Sequence, residues 1–243
     1  MTRSLATDPD LLYPETDGLP LADNTVQFRL IVTTQGGLDA LFRNVKVFVA
    51  GDLLWYPVKG SSESKAPDVM VVFGREKGDR RSYKQWQEDN IPPQVVFEFV
   101  SKNNTTREVE DTKFKFYRTH GVEEYYIHDP DKGTLKGWLR QGKQLQPIED
   151  MQGWVSPRLG IRFELIDSEM QLYYPNGERF ASYRELMEQR EQEQQRAEQQ
   201  RHRAEQAERQ LAQERMQREQ AELRSQRLAE QLAALGIDPE TLE

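Results

Sequence analysis

Three residues of this 243-residue chain, Asp68, Glu98 and Lys113, sit where charged groups are unexpected. Glu98 lies inside the run Val95-Val96-Phe97-Glu98-Phe99-Val100. In a strand, Val95, Phe97 and Phe99 point to one face and Val96 and Val100 to the other, so both faces are apolar and the strand reads as buried on both sides. An ionised carboxylate there is costly unless a metal ion or a lysine neutralises it. The lysine follows from helical spacing. Over residues 106–120, Val109, Phe116 and Tyr117 recur on one face, and at roughly 100° per residue Lys113 falls in the centre of that stripe while Lys115 points outward. Asp68 follows Pro67 and opens a second apolar run, residues 69–73. Two carboxylates on neighbouring strands with a lysine facing them can hold a hard cation, Mg²⁺ or Mn²⁺, beside a group that handles protons. The alternative is a buried Glu98–Lys113 ion pair with no catalytic role.

The flanking elements must bring these residues together. Asp23 or Asn24 can cap a helix running to about residue 43, with Val26, Leu30, Leu38 and Leu41 on one side and Gly36-Gly37 as a kink or weak point. Gln27 on this helix either reaches the site or is an exposed helix residue. Residues 46–50 and 53–56 are short strand candidates separated by Gly51-Asp52; Asp52 is either a third acidic ligand or turn chemistry. Residues 60–65 form a polar loop leading to Asp68. After Glu98, residues 101–104 are a turn, in which Ser101 either bonds near the site or serves the turn. Thr105 with Glu108 has capping-box spacing, and Gly121 is placed to end the Lys113 helix. Residues 124–128 form the next strand, closed by a turn over 129–133. Strand, helix and strand in that order imply a crossover connection. Further strands are predicted over 135–140, 144–148, 161–165 and 171–174, with Gly142 and Asn176-Gly177 at hairpin turns, as sheet extension and packing. The fold class is α/β in a mixed α+β arrangement: a central mixed sheet flanked by helices, with a long C-terminal helix.

One segment is densely basic. Residues 74–84 carry Arg75, Lys77, Arg80, Arg81 and Lys84, followed by Trp86. It reads either as a flexible loop holding DNA phosphates by charge and a base by stacking, or as a solvated connection.

Pro67-Asp68, Glu98 and a lysine resemble the PD-(D/E)XK restriction-endonuclease-like superfamily, and residues 92–131 (PPQVVFEFVSKNNTTREVEDTKFKFYRTHGVEEYYIHDPD) resemble its large bacterial Uma2-type family. The likeness covers roughly residues 22–182. The parent motif places its lysine two residues after the glutamate, where this chain has Val100; in the bacterial family it comes from the following helix, which points to Lys113. The resemblance implies a metal-dependent DNA endonuclease in which Asp68, Glu98 and the backbone carbonyl of Phe99 hold Mg²⁺ or Mn²⁺. Lys113 then orients or deprotonates the attacking water. The domains expected are an irregular arm (1–21), a nuclease domain (22–181), a long charged helix that can form a coiled coil (182–235) and a tail (236–243).

Composition bounds the alternatives. The chain has no cysteine, which excludes disulfides and thiolate metal sites. No N-terminal apolar region and no span-length apolar stretch are seen, so a cytoplasmic protein without a membrane is expected. The net charge of −8 argues against a purely electrostatic nucleic-acid binder, so DNA contact must come from a local patch. His120, His128 and His202 lack ligand spacing; no glycine-rich phosphate loop or nucleophile elbow is present, and no small-molecule cofactor is expected. From residue 182 to 230 there is no glycine or proline. A heptad register through Ala204, Ala207, Leu211, Glu214, Arg218, Ala221, Ser225, Leu228, Leu232 and Leu235 is apolar at its ends and polar in its middle, compatible with a solvated helix or a homodimeric coiled coil. Three classes stay open: a metal-dependent endonuclease, a DNA-binding module without cleavage, and an interaction protein working through its helix.

Overall fold

A computed structural model describes residues 13–18, 20–101 and 108–234 of the chain. The capping-box residue Thr105, the predicted helix stops Gly236 and Pro239, and most of the expected N-terminal arm lie outside them. Contacts divide the chain after Tyr183 into two units.

The first unit is built on a six-stranded mixed sheet. Its strands are β1 (Val47–Gly51), β3 (Val69–Phe73), β5 (Val95–Phe99), β6 (Glu124–Asp129), β7 (Thr134–Gln141) and β8 (Gln144–Pro147), in the spatial order β1-β3-β5-β6-β7-β8. Only β5 and β6 pair in parallel; the other neighbours are antiparallel. The parallel pair is joined by the expected crossover, which carries Lys113. Two short strands, β2 (Trp55–Tyr56) and β4 (Tyr83–Lys84), form a separate parallel pair, and β9 (Arg162–Ile166) and β10 (Glu169–Tyr173) form a hairpin of their own. The predicted final strands therefore extend the main sheet only as far as β8. Asp167 and Ser168, both at positive φ, make the turn of the last hairpin, a turn the sequence pattern did not suggest.

Strand β5 is buried along its whole length, and its period of two sorts the side chains between two cores. Val95, Phe97 and Phe99 join Ile31, Leu38 and Phe163 on one face. Val96 and Val100 join Val109, Phe116 and Tyr117 on the other. Glu98 shares the period of Val96 and Val100.

Helix α1 (Thr25–Leu41) begins where Asn24 accepts hydrogen bonds from the N–H groups of Val26 and Gln27. It runs through Gly36-Gly37 as one helix, and Gly37 lies against the ring of Phe180, where any side chain would collide. Its buried stripe is Gln27, Ile31, Thr34 and Leu38; Val26, expected inside, is exposed. The segment that carries Lys113 is not one continuous α-helix. Glu108–Lys113 is a π-helical turn and α2 (Phe114–Thr119) follows it, ending at Gly121 with φ +95°. Lys113 is nevertheless buried while Lys115 is exposed: a four-residue step keeps Val109 and Lys113 on one face in a π turn as it does in an α turn.

The described part of the second unit, from Arg184, is helical throughout and belongs to α3 (Tyr183–Ala234), 52 residues with none buried. Among the described residues no helix is long and apolar enough to cross a membrane.

Candidate functional site

Strands β3 and β5 set the two carboxylates side by side. Their antiparallel register pairs Val69 with Phe97, and continuing it by one residue brings Asp68 alongside Glu98. The N–H of Phe99 donates to Oδ2 of Asp68 at 2.5 Å. Asp68 is buried, and burial first, then the neighbouring Glu98, push its carboxyl up to about 8; Lys113 and the Phe99 N–H pull in the other direction.

Glu98 is held through both oxygens by one turn of the crossover. Lys113 Nζ donates to Oε2 at 2.7 Å, and the Tyr117 hydroxyl donates to Oε1 at 2.6 Å. Lys113 and Tyr117 stand four residues apart, the spacing that stacks side chains on one helical face. Lys113 also approaches the Ala66 carbonyl at 3.4 Å, tying the crossover to the segment ahead of Asp68. Tyr117 is fully buried, and burial together with Glu98 holds its phenol protonated, so it remains a donor.

The accessory candidates are placed differently from one another. Gln27 is buried rather than exposed: its amide donates to the Phe99 carbonyl at 3.0 Å and accepts from the Asp23 N–H at 2.9 Å. The reason is the rotation of the α1 stripe, which turns Gln27 toward the end of β5. Ser101 is buried, and its hydroxyl bonds the Asp23 carboxylate. Asp52 serves the turn between the two strands. It adopts a left-handed turn conformation with φ +48°, and its N–H donates to the carbonyls of Pro67 at 3.1 Å and Asp68 at 3.2 Å. Its carboxyl, half-buried, is raised to about 6, chiefly by burial and then by Asp17, and it also feels Lys113 and Glu98.

The basic segment is tied down rather than a loose loop. Arg75 pairs with Asp89 at 2.6 Å, Lys77 with Asp39, and Arg80 with Glu88 at 2.6 Å while its guanidinium covers the Phe48 ring. Arg81 pairs with Glu15 at 3.1 Å and stays 82% exposed. Lys84 lies 5.5 Å from the centre of the Tyr13 ring, which also packs against Trp86. The histidines of this unit serve packing: His120 lies among Trp55 and Phe116, and buried His128 is linked to the Thr134 carbonyl and the Met170 N–H.

The donor set of the central cluster fits a hard divalent cation. Two carboxylates and the Phe99 carbonyl are oxygen donors, and with both carboxylates ionised the buried trio of Asp68, Glu98 and Lys113 carries one net negative charge, which a cation would offset. Among the described residues no three acidic or histidine side chains gather as a ready cage. A cation held by one or two carboxylates and completed by water and phosphate does not require one.

Sequence reasoning missed Tyr117, which it assigned to the core. A signal was available, since a tyrosine in a buried stripe needs a partner for its hydroxyl, and Glu98 was the acceptor on that face.

A mixed sheet whose parallel pair is bridged by a crossover, with acid, acid and lysine meeting at its centre, has the architecture of a restriction-endonuclease-like protein. A family model described as Uma2, putative restriction endonuclease, matches residues 22–168, more than half of the 243 residues, and the chain belongs to this family. Among solved structures, it is similar to the crystal structure of a putative nuclease belonging to DUF820 from Anabaena variabilis, at 15% sequence identity and a TM-score of 0.41, covering 54% of this chain and 73% of that one. No curated protein matches it.

Proposed function

We propose that this protein is a metal-dependent DNA endonuclease of the PD-(D/E)XK type, hydrolysing phosphodiesters in the cytoplasm. The observation that supports this reading most is the burial of Asp68 and Glu98 side by side with Lys113 bonded to Glu98 at 2.7 Å. Asp68, Glu98 and the Phe99 carbonyl would hold Mg²⁺ or Mn²⁺. When bound, the cation polarises the phosphate and stabilises the leaving oxyanion. Gln27, through its bond to the Phe99 carbonyl, fixes the direction of that donor. Lys113, kept aimed at the cluster by its bond to Glu98, would orient the attacking water or, once its ammonium has given up a proton, take the water's proton at Nζ and pass it on toward the leaving oxygen. The water oxygen joins phosphorus as the P–O bond to the leaving sugar oxygen breaks, and that oxygen ends protonated. Asp52 and Ser101 are accessory groups at the edge of the site. Arg81, exposed and held by a single rim carboxylate, is the member of the basic segment best able to exchange Glu15 for a DNA phosphate.

The test is calorimetric titration of Mn²⁺ into wild type, Asp68→Ala and Lys113→Ala, with plasmid nicking measured on the same samples. The expected result is binding and nicking by wild type, neither by Asp68→Ala, and binding without nicking by Lys113→Ala. Absence of ion uptake by the wild type at millimolar Mn²⁺ would make Glu98 and Lys113 a structural pair and remove the enzyme reading.

A further inference from the structure

We propose that Tyr117 determines which cation the site accepts, by keeping one oxygen of Glu98 engaged. The inference rests on the metal reading above and adds to it a selectivity residue. Tyr117 is fully buried, and its hydroxyl donates to Oε1 of Glu98 at 2.6 Å; Lys113 donates to the other oxygen, Oε2, at 2.7 Å. These two bonds differ in what holds them. Lys113 reaches Glu98 from the end of a π-helical turn on an unbranched stem of several rotatable bonds. The Tyr117 ring is fixed on several sides: stacked with Trp55 at 6.2 Å between centroids, edge-on to Phe116 at 5.7 Å and edge-on to Tyr125 at 5.0 Å. The phenol is therefore the rigid partner and sets the rotation of the carboxylate.

A carboxylate whose rotation is set and whose Oε1 is held by a rigid donor meets a cation through its other oxygen. One-oxygen contact suits Mg²⁺, which demands about six donors in a near-ideal octahedron. Ca²⁺ takes about six to eight and accepts both oxygens of one carboxylate. Removing the hydroxyl frees Oε1 and releases the rotation, so Glu98 can grip a larger ion with both oxygens while losing its preset geometry for a small one. Tyr117 acts through Glu98 and is a positioning residue, not a catalytic one.

Tyr117→Phe keeps the ring and its stacking and removes only the donor. Titration calorimetry with Mg²⁺ and with Ca²⁺ on wild type, Tyr117→Phe and Lys113→Ala tests the inference. Mg²⁺ affinity is expected to fall about tenfold or more in Tyr117→Phe, the scale of losing a bond that orients a ligand, with the Ca²⁺-to-Mg²⁺ affinity ratio rising. General loosening of the fold would weaken both ions alike and leave the ratio where it was. Lys113→Ala, with Tyr117 in place, is expected to keep the wild-type ratio. An unchanged ratio in Tyr117→Phe, or a ratio raised equally in Lys113→Ala, overturns the inference while the metal reading stands. Should Tyr117→Phe fail to fold, the Lys113→Ala ratio decides. Wild type that takes up neither ion overturns the metal reading and this inference with it.

Discussion

Glutamate paired with a basic residue occurs in both units of the molecule, with opposite consequences. In the first, Lys113 and Glu98 meet at 2.7 Å with side chains 10% and 1% exposed. In the helix of the second, Arg201 and Glu205 meet at 3.4 Å across one turn with side chains 83% and 49% exposed. Water already solvates the helix pair, so bringing its charges together changes little. The buried pair has given up its hydration and depends on its partners, Lys113 and Tyr117 on the two oxygens of Glu98. A charge kept in that setting constrains every group around it. Asp68 next door is pushed upward by its own burial first and by that charge second, and the buried polar atoms of the cluster are engaged.

The sharpest way to break this contrast is to remove one member of each pair. Lys113→Ala leaves Glu98 charged and buried, and is expected to lower ion-free stability by about 3–5 kcal/mol in urea unfolding at pH 7. Lys113→Ala combined with Glu98→Gln should recover part of that loss, because no charge is then stranded. Equal stability of the single and double variants would show that packing, not charge, is what Lys113 supplies.

Glu124 sharpens the comparison from the middle. It is a buried carboxylate served by neutral donors: the hydroxyls of Ser156 and Tyr126, the latter at 2.8 Å, and the Arg158 N–H at 2.7 Å. Burial raises its carboxyl above the usual range in spite of them. Ser156→Ala is expected to cost about 1–3 kcal/mol, less than stranding a full charge. The same unfolding titration reads it.

Asp68 extends the contrast to pH. Its folded carboxyl lies near 8 against an ordinary value of 3.8, so the ion-free protein takes up a proton there on folding. Its contribution to stability is complete below about pH 4 and is lost as the pH rises through about 8. Ion-free stability should therefore decline over that window, and Asp68→Asn should remove this group's share of the decline. An incoming Mn²⁺ must displace the same proton, so apparent Mn²⁺ affinity should rise by up to about tenfold per pH unit below 8. A flat affinity profile between pH 6 and 8 would mean that Asp68 is already ionised.

The smallest effect belongs to the helix. Arg201→Ala is expected to change stability by no more than about 0.5 kcal/mol, and added salt should reduce even that.

Local chemistry was enough to read several features from the chain alone. The alternation of Val95 to Val100 sorted the central strand between two cores and put Glu98 on the face that proved to hold Tyr117 and Lys113. Asp23 or Asn24, of which Asn24 is the cap, and Gly121 marked helix ends because capping depends on neighbouring residues alone. The crossover followed from strand, helix and strand in sequence, and the long charged run after residue 182, free of glycine and proline to residue 230, read as a long helix. Membership of the Uma2 family was legible in residues 92–131.

Other features depended on which distant surfaces met. Gln27 turned inward because the α1 stripe is set by contact with the sheet, not by the positions of Val26 and Leu30. The basic segment found acidic partners as far away in sequence as Asp39 and Glu15. Hydrogen bonding decided that Glu108–Lys113 winds as a π turn, which helical periodicity alone does not distinguish from an α turn. The bond from Tyr117 to Glu98, and the upward shift of Asp68, exist only where separate segments exclude water together. Caps, alternation and solvated charge are properties of neighbours along the chain, whereas desolvation belongs to a site that only the folded structure assembles.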